Sequence, residues 1–383
     1  MDARSIRAIL AALFAALALW GEDVPAGKVV DPVRCRGNPA QSYALYLPSA
    51  YTPGSRWPIL YCLDPGARGR LPVELFAPAA EKAGFIVAGS NNSRNGAMEP
   101  VREAIHWLLA DTGARWSIDS ARVYAAGFSG GARTALDWAM GGQIAGVVAC
   151  GAGFGETVPG NIPFRLFAAA GVDDFNYHEL YALSLELARR KVPHRFAPFP
   201  GGHAWLPPDL ASDALAFLAG RLPAAPAQPS RDEARQAARF RDLFARLAGA
   251  GERARRGLVS QLRKDAAKPA DGPNRRVARQ VLGGAFVGAV EEARRFAAEK
   301  RYRDAARSWE TAVLVEPENA GAWYSLAAAQ AGAGDAPRAL EALEQAAARG
   351  FRDRDRIARE ALFEPLRGSA RYRALLERMP AAR

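Results

Sequence analysis

Residues 122–132 read RVYAAGFSGGA, and this stretch decides the fold. A strand-like apolar run leads into Gly127-Phe128-Ser129-Gly130-Gly131, and Ala132-Arg133-Thr134-Ala135-Leu136 begins a helix at once. Alone, G-x-S-x-G is a weak signal, because a chain with 36 glycines produces it by chance. Between a strand and a helix it acquires a mechanism, since a sharp turn there projects the Ser129 hydroxyl from the sheet. Side chains at Gly127 and Gly131 would collide with the adjoining strand and helix. The helix N-terminus also favours negative charge that develops beside Ser129. A glycine-rich phosphate turn is the competing reading, but the stretch lacks the P-loop lysine and the dinucleotide spacing.

A serine nucleophile needs a base, and the chain has four histidines. His106 precedes the serine on a helical stretch, His178 begins a helix and His194 starts a strand-like run. His203 lies in Gly201-Gly202-His203-Ala204-Trp205, a loop between the last strand-like run and the last helix of this half. Such a loop carries an imidazole over the C-terminal edge of a sheet, where open α/β folds bind ligands. An orienting acid belongs between serine and histidine, and the run 166–170 leads into Gly171-Val172-Asp173-Asp174-Phe175-Asn176. Neighbours on an extended chain point opposite ways, so only one aspartate can reach the imidazole. Asp174, three residues past Gly171, is preferred over Asp173; either could instead cap the following helix.

Outward from this core, apolar runs at 43–47, 58–63, 85–88, 123–126, 144–150, 165–170 and 194–198 predict strands. Helical stretches at 73–83, 101–112, 133–140, 179–190 and 209–222 alternate with them. The continuous runs at 145–150 and 166–170 suit strands buried on both faces, so a mostly parallel α/β sheet flanked by helices is expected over residues 22–222. Residues 223–230 (PAAPAQPS) read as a linker, and the strand pattern ends there. Residues 231–383 form an all-α domain: two helices over 231–262 split at 249–251, a loop at Asp271-Gly272-Pro273, then a repeat. Ala305, Trp309 and Ala312 recur as Ala339, Leu343 and Ala346, an offset of 34 residues, with Pro317 closing the first unit. The repeat is clearest over 286–351.

The length of 383 residues fits two domains of about 150 residues each and a remainder. With 49% hydrophobic and 24% charged residues, the chain is neither disordered nor fibrous. The net charge of +11 divides into +1 over residues 1–227 and +10 over 228–383. The basic half is rich in Arg and Ala but lacks aromatic residues interleaved with basic ones, so solvated helix faces account for the charge and no nucleic-acid partner is expected. Residues 1–21 carry Arg4 and Arg7, a 13-residue uncharged run at 8–20 and the small-residue stretch Ala16-Leu17-Ala18 with alanine at both ends, the pattern of an export signal. That run is short for a membrane span, which takes about 20 residues, and no stable span is expected. A periplasmic or extracellular location follows. Cys35, Cys62 and Cys150 are too few for a disulfide scaffold, and Cys62 and Cys150 sit in apolar runs as core residues. No cofactor and no metal is expected.

Residues 41–222 resemble an α/β-hydrolase, most closely the secreted esterase branch of polyhydroxybutyrate depolymerase-like, feruloyl and acetylxylan esterases. The resemblance rests on Gly127–Gly131, Gly171–Asp174, Gly201–His203 and the strand and turn 58–69. The serine–aspartate–histidine order is that of this fold. The resemblance implies a hydrolase acting on a small-molecule or polymer-derived ester through Ser129, His203 and Asp174. Its oxyanion hole would use the amide of Gly130 and a second donor after the early strand. Relatives carry His-Gly at that turn, where this chain reads Leu63-Asp64-Pro65-Gly66-Ala67-Arg68-Gly69. Pro65 has no N–H, which leaves Gly66, or else Ala67. The repeat spacing resembles tetratricopeptide repeats, which implies a protein or peptide partner. A peptidase of the prolyl-oligopeptidase type and a catalytically idle hydrolase domain serving the repeats remain as alternatives. Asn91–Gly96, near the same rim, offers polar groups for substrate or a solvated turn, and Trp205 offers a pocket wall or a packing contact.

Overall fold

The computed structural model describes residues 24–379 apart from Glu156, Ala270 and Asp271. The export signal read over residues 1–21 and Asp271 of the expected loop lie outside the described residues. The chain forms two compact units: residues up to 170 with 179–199 and 204–228, and residues 171–178 and 200–203 with 229–383. Two short loops that precede residues 223–230 in sequence thus belong to the second unit.

The first unit is built on an eight-stranded sheet: β1 (Val29–Cys35), β2 (Asn38–Tyr46), β3 (Trp57–Leu63), β4 (Ile86–Ser90), β5 (Ile118–Phe128), β6 (Gly146–Cys150), β7 (Arg165–Gly171) and β8 (His194–Phe199), in the order β1-β2-β4-β3-β5-β6-β7-β8. β2 pairs antiparallel with β1 and β4, while β4, β3, β5, β6 and β7 pair parallel. Every residue of β4 and of β6 is buried, which accounts for their apolar sequences, broken only by Ser90 at the end of β4. Seven strands fall on the expected runs. β1 was not foreseen, because Asp31-Pro32 interrupts its pattern and its register slips between Val30 and Val33. An edge strand tolerates that proline, since one side of it has no ladder to satisfy.

Five helices accompany the sheet: α1 (Arg70–Ala83), α2 (Met98–Arg115), α3 (Gly130–Met140), α4 (Tyr177–Arg189) and α5 (Pro208–Leu218). Phe76 of α1 and Phe217 of α5 share one core with Phe167 of β7, while Leu45, Ile59, Tyr61 and Ile86 are buried in another. α5 ends at Leu218, four residues short of the expected 222. All three cysteines are buried free thiols, and burial pushes the Cys35 thiol up to about 11 and that of Cys62 further.

β3 lies between β4 and β5, so successive parallel strands step first to one side and then to the other. At such a reversal the loops beyond the carboxyl ends splay and leave a crevice. The turns after β3 and after β5 leave from neighbouring strand ends at this place.

In the second unit α6 (Arg231–Gly249) and α7 (Glu252–Ala266) are separated at the expected glycines, and the Ser230 side chain caps α6 by accepting from the Glu233 amide. α8 (Pro273–Ala298), α9 (Tyr302–Val315), α10 (Ala320–Gly332), α11 (Ala336–Ala348), α12 (Arg354–Arg359) and α13 (Ala370–Arg378) follow. Ala305, Trp309 and Ala312 of α9 and Ala339, Leu343 and Ala346 of α11 are all buried in one core. Trp323 of α10 donates its indole N–H to the Pro317 carbonyl at 2.7 Å and so fixes the turn after α9. Among the described residues no helix is long and apolar enough to cross a membrane.

Candidate active site

β5 ends at Phe128 and α3 begins at Gly130, so Ser129 alone makes the turn, with φ 53° and ψ −122°. A positive φ is costly for a residue with a Cβ and persists only where its surroundings impose it. Here the Ser129 amide donates to the Cys150 carbonyl at 2.8 Å, and its own carbonyl accepts from the Ala132 amide at 2.9 Å. The flanking glycines are required sterically. A Cβ on Gly127 would strike the Gly131 carbonyl, and one on Gly131 would strike the Leu63 carbonyl of β3. The Gly130 amide is among the first of α3, whose opening N–H groups have no intrahelical acceptor. A Cβ on Gly130 would land on the side-chain oxygen of Asn95, so the Asn91–Gly96 stretch does reach the serine turn. Within it Asn91 donates to Asp31 and Asn92 accepts from the Ser42 amide, so these two brace the strands.

The turn after β3 is organised by Asp64, which is wholly buried. Its carboxylate accepts from the Gly66 amide at 2.8 Å, from Arg68 Nε at 2.8 Å and from Trp205 Nε1 at 2.9 Å. Burial alone would raise this carboxyl, but the Arg68, Trp205 and Gly66 hydrogen bonds outweigh it and hold the group below its ordinary value. This corrects the expectation for Gly66. An aspartate ahead of Pro-Gly folds back on the amide two residues on, so the Gly66 N–H is committed to Asp64 and not offered to an oxyanion. The alternative donor is committed as well, since the Ala67 amide bonds the Asp64 carbonyl at 3.0 Å. The sequence signal for Asp64 was the Asp-Pro-Gly order itself. Trp205 proves to be a tie between the turn and the segment after His203, with Phe128 and Phe76 against its ring.

In the second unit His203 Nδ1 lies 3.0 Å from both carboxylate oxygens of Asp174, which is completely buried and also accepts from the Asn176 amide at 2.8 Å. Asp173 points the other way and pairs with Arg279 at 2.7 Å. The two loops are sewn together by the Asp173 amide, which donates to the Gly201 carbonyl at 2.8 Å. The Phe175 ring packs on the imidazole with centroids 4.3 Å apart, a contact that sequence reasoning did not single out. Asp174 and His203 are thus brought together in one unit, and Ser129, Gly130 and Gly66 stand in the other.

The remaining histidines have other occupations. His106 is exposed and set edge-on to Trp107. His178 is buried against Gln280 Oε1 at 3.0 Å. His194 makes a second serine–histidine contact, 2.8 Å from Ser184 Oγ. That pair is buried, its other ring nitrogen meets the Val192 carbonyl, and Ser184 also accepts from the Ala227 amide. It is a packed polar pair without a carboxylate to hold an imidazolium.

The sheet order, the strained serine between β5 and α3, the acid loop after β7 and the histidine loop after β8 define an α/β-hydrolase fold. No family model and no curated protein matches the chain by sequence. Among solved structures, a ferulic acid esterase is similar over 52% of this chain and 100% of its own, at 16% identity and a TM-score of 0.43. An S-formylglutathione hydrolase of Staphylococcus aureus covers 52% of this chain and 99% of its own, at 15% identity and 0.40. A fluorophosphonate-binding serine hydrolase of the same organism covers 46% and 92%, at 15% and 0.39.

Proposed function

We propose that the protein is a serine hydrolase that cleaves carboxylic esters of small molecules or polymer fragments. The observation that carries this reading is the buried Asp174 carboxylate clasping His203 Nδ1, which leaves Nε2 to act as the base. In this reading His203 takes the proton of Ser129 as its Oγ attacks the ester carbonyl, and Asp174 stabilises the imidazolium that results. The oxyanion is met by the Gly130 amide, at the positive end of α3. The imidazolium then protonates the leaving alkoxide. Water, deprotonated by the same imidazole, cleaves the acyl-enzyme and returns the proton to Ser129.

Export to the periplasm or beyond rests on residues 1–21 alone. The helical half is read as tetratricopeptide-like, supported by the register of Ala305, Trp309 and Ala312 with Ala339, Leu343 and Ala346, and a protein or peptide partner on it belongs to the same reading. A hydrolase domain retained only to carry the repeats is the reading that activity would exclude. The test is turnover of short p-nitrophenyl esters. Ser129→Ala and His203→Ala should each lower kcat by about 10⁴ or more, and the double variant should be little worse, because such residues act as a unit. Full activity in Ser129→Ala would end the proposal.

A further inference from the structure

The loop that carries Asp174 is held by a helix far away in sequence. Val172 offers one carbonyl oxygen to two donors from α8, Arg276 Nε at 2.8 Å and Gln280 Nε2 at 2.9 Å. Gln280 is completely buried and turns its oxygen to His178 Nε2, so one side chain pins the loop on both sides of Asp174. Arg279 holds Asp173 at 2.7 Å. The Arg276 guanidinium carbon lies over the Tyr177 ring, 4.1 Å from its centroid, and the side chain forks onto Glu233 of α6. At Gly284 a Cβ would come within 3.2 Å of Phe175, the residue stacked on His203.

Positions 276, 279, 280 and 284 share one face of α8, spaced by three and four residues. That face meets the residues on either side of the acid: Val172 and Asp173 before it, Phe175, Tyr177 and His178 after it. The donors are charged or buried, and a buried amide that loses its partner incurs the full desolvation cost. The loop is therefore fixed from outside and not merely by its own turn. We propose that this face of α8 positions the Asp174–His203 pair, with Gln280 and Arg279 as positioning residues and the helical half as a working part of the hydrolase site. The inference rests on the ester-hydrolase reading for its consequence in turnover but not for its geometry.

The test uses the full-length protein. The imidazole Nδ1–H of His203, held by Asp174, should give a downfield proton resonance in NMR, assigned by its loss in His203→Gln. In Gln280→Leu that resonance should weaken or vanish, kcat should fall by about tenfold or more and KM should stay within about twofold, the pattern expected when geometry and not binding is disturbed. Placed on Asp174→Asn, the same change should cost nothing further, because the carboxylate it positions is gone. Arg279→Ala, at a half-exposed pair, should show the same pattern more weakly, and Arg279→Lys should restore it. A folded Gln280→Leu or Arg279→Ala with the resonance intact and kcat within about twofold of wild type overturns the inference. So does an undiminished loss on the Asp174→Asn background, or a wild type without the resonance. If Gln280→Leu does not fold, the Arg279 pair decides. A wild type that shows the resonance but no turnover defeats the hydrolase reading and leaves the positioning role standing.

Discussion

Asp173 and Asp174 are adjacent in sequence and opposite in employment. Asp174 is buried and shared between His203 and the Asn176 amide, whereas Asp173 reaches Arg279. Replacing each with asparagine separates their roles. Asp174→Asn keeps the shape but removes the charge that stabilises an imidazolium, so kcat should fall by about 10³ or more. Asp173→Asn should lose about tenfold at most, through the weakened hold of α8 on the loop. Steady-state kinetics on a short ester reads both, and the reverse ranking would transfer the acid's role to Asp173. Beforehand, alternation along an extended chain said only that one of the two could reach the imidazole, and the three-residue offset from Gly171 favoured Asp174. Gly66 shows the limit of such reading. Which way a turn amide points depends on the carboxylate folded back onto it, and Asp64 took the Gly66 N–H that the sequence left open.

At the scale of elements, seven of the eight strands were legible because buried parallel strands are continuous apolar runs, while β1 was hidden by its proline. The face of α8 was not legible either. It is committed to a loop about a hundred residues earlier in the chain, and nothing in its own periodicity distinguishes that surface from a solvated one. Its tie to His178 has a pH consequence. Burial, with the nearby Arg276 charge, holds the His178 imidazole below its ordinary value of 6.5, against the opposing Gln280 bond and Glu233 charge. The unfolded chain therefore takes up a proton near pH 6.5 that the folded chain does not. Stability attached to neutral His178 is present above that value and falls as the pH drops below it, until the folded imidazole titrates as well. Thermal melts of wild type should lose Tm on acidification from pH 7 to about pH 5 more steeply than those of His178→Gln. Parallel slopes would show that His178 titrates alike in both states.

For the whole molecule, composition and the proline-rich linker suggest that residues 22–222 are self-sufficient, with close to full turnover in a chain ended near Gln228. The structure points to another outcome. Ending there removes Arg276, Arg279 and Gln280 from the loop 171–178, so such a chain should retain the sheet but lose at least about tenfold in kcat. Turnover at the full-length rate would return the helical half to the role of an appendage. Beneath these expectations stands the claim that Ser129 is an activated nucleophile, and covalent labelling tests it most directly. A fluorophosphonate reacts with a serine whose proton is taken by an aligned base and spares ordinary hydroxyls. Full-length protein incubated with the probe and mapped by peptide mass spectrometry should carry one adduct, on Ser129, and His203→Ala should abolish it. An unlabelled wild type, or labelling that survives unchanged in His203→Ala, would contradict the account.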